Sequence, residues 1–244
     1  MKAAAVVAQA RVELTLTLRR GESLLLTLGI PVLLLAFFSV VDVLPRPAGV
    51  DQPVDFLAPG ILALAVMSTA MVSLAIATGF ERSYGVLKRL GSTPLGRPAL
   101  LVAKTAAVLA VEVLQVVVLV AVAGLLGWRP GGSVVVAGAA MLLATVAFAG
   151  LGLLMAGTLR GEVTLAAANG LYLVLLLLGG MVFPLARLPA GLEAVAELLP
   201  AAALTLALDA ALTSPVTFPA EPWAVLFAWA VVAPALAAWR FRWE

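Results

Sequence analysis

Residues 99–128 read ALLVAKTAAVLAVEVLQVVVLVAVAGLLGW, and only Lys104 and Glu112 interrupt this apolar run with ionisable side chains. As an α-helix the run would be roughly 43 Å long, which exceeds the hydrocarbon core of a bilayer at about 30 Å. Backbone polar groups in lipid must be satisfied within their own segment, and a helix does this. The stretch therefore predicts a transmembrane helix that tilts or projects beyond the bilayer.

The rest of the chain repeats this pattern. Of the 244 residues, 64% are hydrophobic and 11% are charged, against about 45–50% and about 25% in soluble domains. The excess is arranged in runs of roughly 20 residues, the length that a membrane-crossing helix needs. The sequence predicts one all-α integral membrane domain over residues 1–244, with six transmembrane helices at residues 23–43, 56–80, 99–128, 133–159, 162–183 and 222–239.

Missing residue types exclude several kinds of site. The chain has no cysteine and no histidine, so it cannot form a disulfide, a thiol nucleophile, a Cys/His metal site or a histidine proton relay. It also has no G-x-x-x-x-G-K-[ST] phosphate loop. We therefore expect no catalytic, cofactor-binding or metal-binding residue in this chain, and we expect no nucleic-acid partner.

The distribution of basic residues predicts the orientation. With six spans, the two termini share one side with the second-to-third and fourth-to-fifth connections, and that side holds twelve of the 15 Lys and Arg residues. The positive-inside rule places it in the cytoplasm. We therefore expect a multi-pass protein of the cell (plasma) membrane whose N- and C-termini are cytoplasmic.

Residues 1–20 precede the first span and have apolar side chains at roughly helical spacing, with Gln9, Arg11 and Glu13 between them. This pattern predicts a helix that lies along the inner membrane interface, with its arginines near anionic headgroups. The alternative is a positively charged flank that only sets the topology. The apolar positions are Val6, Val7, Ala10, Leu14 and Leu18.

Residues 188–212 are less regular than the predicted spans. Pro189 and Pro200 break the segment, and a full crossing would bury costly carboxylates. We expect short helices or a re-entrant hairpin at the outer face, before the sixth span. The carboxylates are Glu193, Glu197 and Asp209.

The connection between the second and third spans, residues 81–98, reads ERSYGVLKRLGSTPLGRP and is the most concentrated cationic patch of the chain. Tyr84, Leu87 and Leu90 repeat at a spacing of three and form one apolar stripe, and the basic side chains lie largely off it. The pattern predicts a short amphipathic helix over residues 81–92 on the cytoplasmic side.

This predicted helix has an ordered end. Gly91 can terminate it, and Thr93-Pro94 favours an extended or turn conformation before the third span. A connection that only sets the topology would need charge but neither a stripe nor a stop. The alternative, a positively charged loop without a partner, is therefore less favoured.

Polar side chains inside predicted spans are candidate functional groups. Glu112 lies deep in the third span, and Gln115 follows one turn later, so both could share a polar seam. Asn169 and Tyr172 share a face of the fifth span. The alternative for all of them is an interhelical hydrogen bond that fixes packing. Small residues in two spans are expected to allow close helix packing: Ser68, Thr69, Ser73, Gly150, Gly152 and Gly157.

Two motifs in order resemble a known family. The second-to-third connection, with Leu-Lys-Arg-Leu at 87–90 and Ser-Thr-Pro-Leu at 92–95, is similar to that of type-2 permeases of ATP-binding-cassette (ABC) transporters. The segment GMVFPL at 180–185, followed by Leu-Pro at 188–189 and 199–200, resembles the outer motif of the same family. Together with six spans and an amphipathic N-terminus, the resemblance covers most of the chain. The chain departs from many relatives at 201–204, where they are more polar or aromatic.

The resemblance implies the membrane subunit of an ATP-driven exporter for amphipathic or hydrophobic molecules such as a drug, lipid or glycolipid. A separate nucleotide-binding subunit would hold ATP and Mg²⁺, and a second copy of the chain or a similar permease would complete the pathway in contact with membrane lipids. The implied coupling residues are Glu81, Arg82, Tyr84, Gly85, Leu87, Lys88, Arg89 and Leu90. The residues of the outer-face motif are Gly180, Phe183, Pro184, Pro189 and Pro200.

Two other functions stay open at the level of sequence. An ion-coupled secondary transporter would need a relay of intramembrane ionisable groups, and Glu112 is nearly alone. It would also be expected to show inverted repeats with broken helices, which are not evident. A membrane scaffold or assembly subunit would need no transport activity of its own.

Overall fold

The structure is a computed structural model and describes residues 2–19, 21–41, 52–91, 96–213 and 216–241. Within these ranges every regular element is helical, which confirms the predicted all-α membrane fold. The α-helices are α1 (Lys2–Arg19), α2 (Gly21–Val40), α3 (Pro53–Met67), α4 (Leu74–Ser83), α5 (Val86–Gly91), α6 (Arg97–Leu125), α7 (Val134–Thr158), α8 (Gly161–Leu178), α9 (Ala190–Glu197), α10 (Pro200–Leu212) and α11 (Ala220–Arg240).

Five helical stretches in the described part of the chain are long and apolar enough to cross a membrane: Pro53–Ser83, Pro98–Leu125, Val134–Thr158, Gly161–Leu178 and Ala220–Arg240. They correspond to the second through sixth predicted spans. The first predicted span is α2, whose apolar part Leu25–Val40 is shorter than the other five. The predicted end of that span at Val43 lies outside the described residues.

The Pro53–Ser83 span is the central helix of the bundle, and nearly three quarters of its most apolar stretch is buried. A π-helical segment, Ser68–Ser73, joins α3 to α4 without interrupting the helix. Close approach of α7 to this segment requires Gly152, because a Cβ there would lie 2.7 Å from the Met71 carbonyl oxygen. This contact supports the prediction that small residues allow close helix packing.

Helix α8 ends earlier than predicted. The sequence places the fifth span at residues 162–183, but the helix stops at Leu178. The reason is the Gly179-Gly180 pair: Gly180 has a φ of +70°, in the left-handed region that glycine adopts without steric cost. Apolar composition continues beyond this point, so hydropathy alone could not locate the end.

Helices α9 and α10 form a broken pair bent by 83°. The N-terminal part of α10 meets the end of α8, since a Cβ at Gly179 would lie 3.0 Å from the Ala201 Cβ. At its other end, the carbonyl of Leu212 accepts hydrogen bonds from the amides of Gly131 and Gly132 in the α6–α7 turn, both at 3.1 Å. Helices α6 and α8 end on the same side of the bundle, so both ends of α10 lie near that side.

The prolines in this region mark the helix starts. Pro189 is the N-cap of α9 and Pro200 is the first residue of α10. Proline suits the first helical position, as at Pro200, because it has no amide hydrogen to leave unpaired and its φ is already helical. The predicted breaks at 189 and 200 are therefore confirmed, whereas the assignment of this segment to the outer face stays a prediction.

Candidate functional site

The chain turns sharply between the second and third spans. Helix α4 continues through Glu81 and Arg82 to Ser83, and Gly85 then adopts a φ of +71° before α5 begins at Val86. The predicted single helix over residues 81–92 is therefore wrong at its start, because the glycine turn separates the first residues from α5. The predicted turn at Thr93-Pro94 lies outside the described residues.

The apolar stripe of this segment does not form one continuous surface. Tyr84 precedes the turn and is 75% exposed, Leu87 is completely buried, and Leu90 is half-buried. Lys88 and Arg89 are exposed. Leu87 packs into the core of the chain itself, so the surface that α5 offers to a partner is its basic side with Tyr84.

Arg82 joins the end of α4 to the end of α7. Its Nη1 donates hydrogen bonds to the carbonyl oxygens of Ala156 at 3.1 Å and Leu159 at 3.0 Å. The last carbonyls of a helix have no partner within that helix, and a cation stabilises the negative end of its dipole. The structure thus places Arg82, one of the predicted coupling residues, in an internal contact.

Glu81 belongs to a cluster of three charges. Its Oε2 lies 2.7 Å from Nζ of Lys104 in α6, and the same ammonium lies 2.9 Å from Oε1 of Glu13 in α1. The Gln9 amide donates to the same Glu13 oxygen at 2.8 Å. Lys104 is 1% exposed, so this is a buried cation held between two carboxylates.

Sequence reasoning missed this cluster. Lys104 stands out as a basic residue inside an apolar run, and such a residue needs an anionic partner. The nearest carboxylate along the chain is Glu112, eight residues further on, and it does not contact Lys104, whereas Glu81 is 23 residues away. The pairing with Glu13 has no sequence signal, because 91 residues separate the two and the packing of α1 along α6 is a tertiary feature.

Glu112 is buried between α6 and α7. The hydroxyl of Thr145 donates to its Oε2 at 2.5 Å, and Oε1 has no hydrogen-bond partner among the described residues. The same hydroxyl lies 2.8 Å from the Met141 carbonyl oxygen. Glu112 is 4% exposed, so the predicted intramembrane carboxyl is enclosed by protein and does not face lipid.

Gln115 links three membrane segments. Its Nε2 donates to the Thr27 carbonyl oxygen of α2 at 2.9 Å, and its Oε1 accepts from the Thr69 hydroxyl of the π segment at 2.8 Å. Gln115 and Glu112 therefore contact different neighbours, and the predicted common seam divides into two separate contacts. Both are interhelical hydrogen bonds of the packing kind.

Asn169 lies apart from both. Its side chain is exposed, and its Nδ2 donates to the Leu165 carbonyl of its own helix at 2.8 Å. It lines a cavity of about 630 Å³ that neither Glu112 nor Gln115 touches. Helices α1, α2, α4, α5 and α6 and the π segment form the rest of the wall, so Asn169 lies apart from the other two candidate intramembrane residues.

This cavity has apolar walls and a charged end. The apolar side chains include Leu26, Ile30, Val72 and Val108, and the hydroxyls of Ser68 and Ser73 lie among them. Its charged lining residues are the three members of the cluster described above, Glu13, Glu81 and Lys104. The arrangement suits a molecule with an apolar body and a polar end.

The predicted outer-face motif surrounds the end of α8. Gly180 forms the turn after that helix, and a Cβ there would lie 2.9 Å from the Leu185 side chain. Phe183 is exposed, and Pro184 is the N-cap of a short 3₁₀ turn, Leu185–Arg187. These residues set the path of the chain from α8 to α9.

Comparison with known protein families agrees with the geometry. The family model described as ABC-2 type transporter matches residues 5–212, which include every helix from α2 to α10 and most of α1. No individual curated protein matches the chain.

Proposed function

Because the chain belongs to the ABC-2 type transporter family and is thus a membrane-spanning permease subunit of an ABC transporter, we propose that it exports amphipathic or hydrophobic molecules. Two copies, or one copy and a similar permease, form the pathway. Two separate nucleotide-binding subunits hold ATP and Mg²⁺ and act on α5 from the cytoplasm, where both termini also lie. The transporter works in the plasma membrane.

The observation that carries this proposal is the geometry of α5. The helix lies between the second and third spans, its Leu87 is anchored in the core, and Lys88 and Arg89 are exposed. Arg82 and Glu81 fix the helix that precedes it. A segment that is rigidly anchored on one side and basic on the other is suited to receive force from a soluble partner with an acidic surface.

The cargo class is proposed from the cavity beside α2 and the π segment. Its apolar walls would accept an acyl chain or an aromatic ring system, and its hydroxyls and charged end would accept a polar head. Few fixed charges line the described spans, so a strongly hydrated solute would find no compensation for its lost water.

The test is reconstitution. The chain is co-expressed with its proposed nucleotide-binding subunit, and the complex is placed in proteoliposomes with rhodamine 6G or a fluorescent phosphatidylethanolamine. We expect ATP to drive movement of at least one probe and the probe to stimulate ATP hydrolysis. If ATP moves neither probe and neither probe stimulates ATP hydrolysis, the proposed cargo class is wrong.

A matched pair of variants tests the role of α5. Replacing Lys88 and Arg89 together by glutamate reverses the exposed charge without touching the buried Leu87. Co-purification of the ATPase should fall at least about tenfold, because like charges at an interface oppose docking. The control replaces Arg129 and Arg187 by glutamate, on the opposite side of the predicted topology. Equal loss in both variants would refute docking at α5.

A further inference from the structure

One buried ammonium group joins three helices at the end of the bundle that carries α5. Lys104 of α6 lies 2.9 Å from Glu13 of α1 and 2.7 Å from Glu81 of α4. We propose that Lys104 is a positioning residue that makes α1 move together with the helix leading into α5. This proposal rests on the proposed function, since it concerns how movement of α5 reaches the rest of the permease.

The burial of the three charges stabilises the contacts between them. Lys104 is 1% exposed, and the side chains of Glu13 and Glu81 are 14% and 17% exposed. Water therefore screens the charges poorly, and separating them would leave a buried cation without a partner. Gln9 donates to Glu13 from the preceding turn of α1 and holds that carboxylate in place.

The position of Glu81 explains why the cluster matters for coupling. Glu81 lies five residues before α5, and Arg82, the next residue, is bonded to the end of α7. The end of α4 is thus held on two sides, by Lys104 toward α1 and α6 and by Arg82 toward α7. A displacement of α5 would be passed to α1 through the ion pairs.

Helix α1 is placed to use this movement. Ala5, Val6, Ala10 and Leu14 are partly buried on one face of α1, the face that also carries Glu13. Glu13 and Lys104 also line the charged end of the cavity proposed for cargo. Moving α1 with α4 would therefore carry the charged end as one unit relative to α2, whose Leu26 and Ile30 form part of the apolar wall, in step with the ATPase.

The experiment uses the absence of cysteine from the chain. Nitroxide labels on Val12→Cys and Ser83→Cys, both at exposed positions, report the distance between α1 and the end of α4. The complex with its ATPase is measured in nanodiscs, without nucleotide and with ATP and vanadate. We expect the distance between the two labels of one copy to have a narrow distribution that is the same in both states.

Glu13→Gln removes one ion pair and leaves Lys104 paired with Glu81. In this variant we expect the distance distribution to broaden. We also expect the number of ATP molecules hydrolysed per molecule transported to rise about threefold, which is the size of effect expected from the loss of one ion pair that is partly exposed to water. Arg11→Gln, on the exposed side of the same helix, is the matched control and should change neither. Lys104→Arg keeps the charge and should retain the wild-type distance distribution.

The outcomes separate this proposal from the proposed function. If the wild-type complex does not transport either probe, the exporter proposal fails, and the label distances without nucleotide still decide the role of the cluster. An unchanged distribution in Glu13→Gln would overturn the proposal. So would a wild-type distance that changes with nucleotide, or an equal change in the Arg11→Gln control.

Discussion

Helix α6 carries two buried ionisable side chains with opposite kinds of surroundings. Lys104 lies near one end and contacts two carboxylates, from α1 and α4. Glu112 lies two turns further along and contacts one hydroxyl, with Oε1 unpartnered among the described residues. The first is a charge held by opposite charges, and the second is a carboxyl held by a single neutral group.

The partners of the two side chains differ with their position along α6. Near the end of the bundle, Lys104 is neutralised by a partner from the N-terminal helix α1, Glu13, as well as by Glu81. Deeper in the bundle, neighbouring spans supply hydroxyls, amides and carbonyls, and hydrogen bonds between helices there are worth roughly 0.6 kcal/mol on average. The two regions should therefore respond very differently to the loss of their polar group.

The largest effect is expected for Lys104→Met, which leaves Glu13 and Glu81 facing each other without a cation. Breaking a buried pair costs about 3–5 kcal/mol. We expect about 2–3 kcal/mol here because the carboxylates retain some exposure. The melting temperature should fall by roughly 5–10 °C, measured from the fluorescence of the five tryptophans. Lys88→Met, on the exposed surface of α5, should shift it by less than about 2 °C.

A smaller effect is expected for Gln115→Leu. The substitution removes the hydrogen bonds to the Thr27 carbonyl and the Thr69 hydroxyl and should cost about 1 kcal/mol. The same fluorescence measurement should show a fall of about 2–4 °C. Thr105→Val is the control, since its hydroxyl bonds only within its own helix among the bonds described. If Gln115→Leu lowered the melting temperature as much as Lys104→Met, the expected difference between charged and neutral polar contacts along α6 would be wrong.

The smallest effect is expected for Glu112→Met. Methionine matches the length of glutamate. The substitution removes a buried carboxyl group of which only one oxygen has a hydrogen-bond partner, and replacing such a group by an apolar one is often neutral for stability. The melting temperature should change by less than about 3 °C. A loss equal to that of Lys104→Met would show that Glu112 has a charged partner outside the described residues. A transport defect at unchanged stability would assign Glu112 a role in translocation.

Much of the fold could be predicted from the sequence, because hydrophobic runs of membrane length leave few alternatives. The predicted ends of the helices were less accurate. Helix α8 stops at Leu178 because of a backbone conformation and not because of a change of hydropathy. The prolines at 189 and 200 were informative because proline restricts the backbone wherever it occurs.

The candidate site was only partly predictable, for a physical reason. An amphipathic stripe shows that a face is buried but not against what, and Leu87 proved to pack into its own chain. The rotation of each helix about its axis is likewise absent from the sequence, so the neighbours of Gln115 and Asn169 could not be predicted. Pairings such as Glu13 with Lys104 depend on how distant helices pack.

The π segment at Ser68–Ser73 adds one residue to the central span, so the side chains of α4 are rotated about the helix axis relative to those of α3. A π turn holds roughly one residue more than an α turn, and each residue of an α-helix turns the chain by about 100°. Removing one residue there would turn α4 by about 100° relative to α3. The contacts of α3 and those of α4, such as Glu81 against Lys104, could then not both be kept. A one-residue deletion in this stretch is therefore expected to disturb the packing of the central span more than a side-chain substitution there.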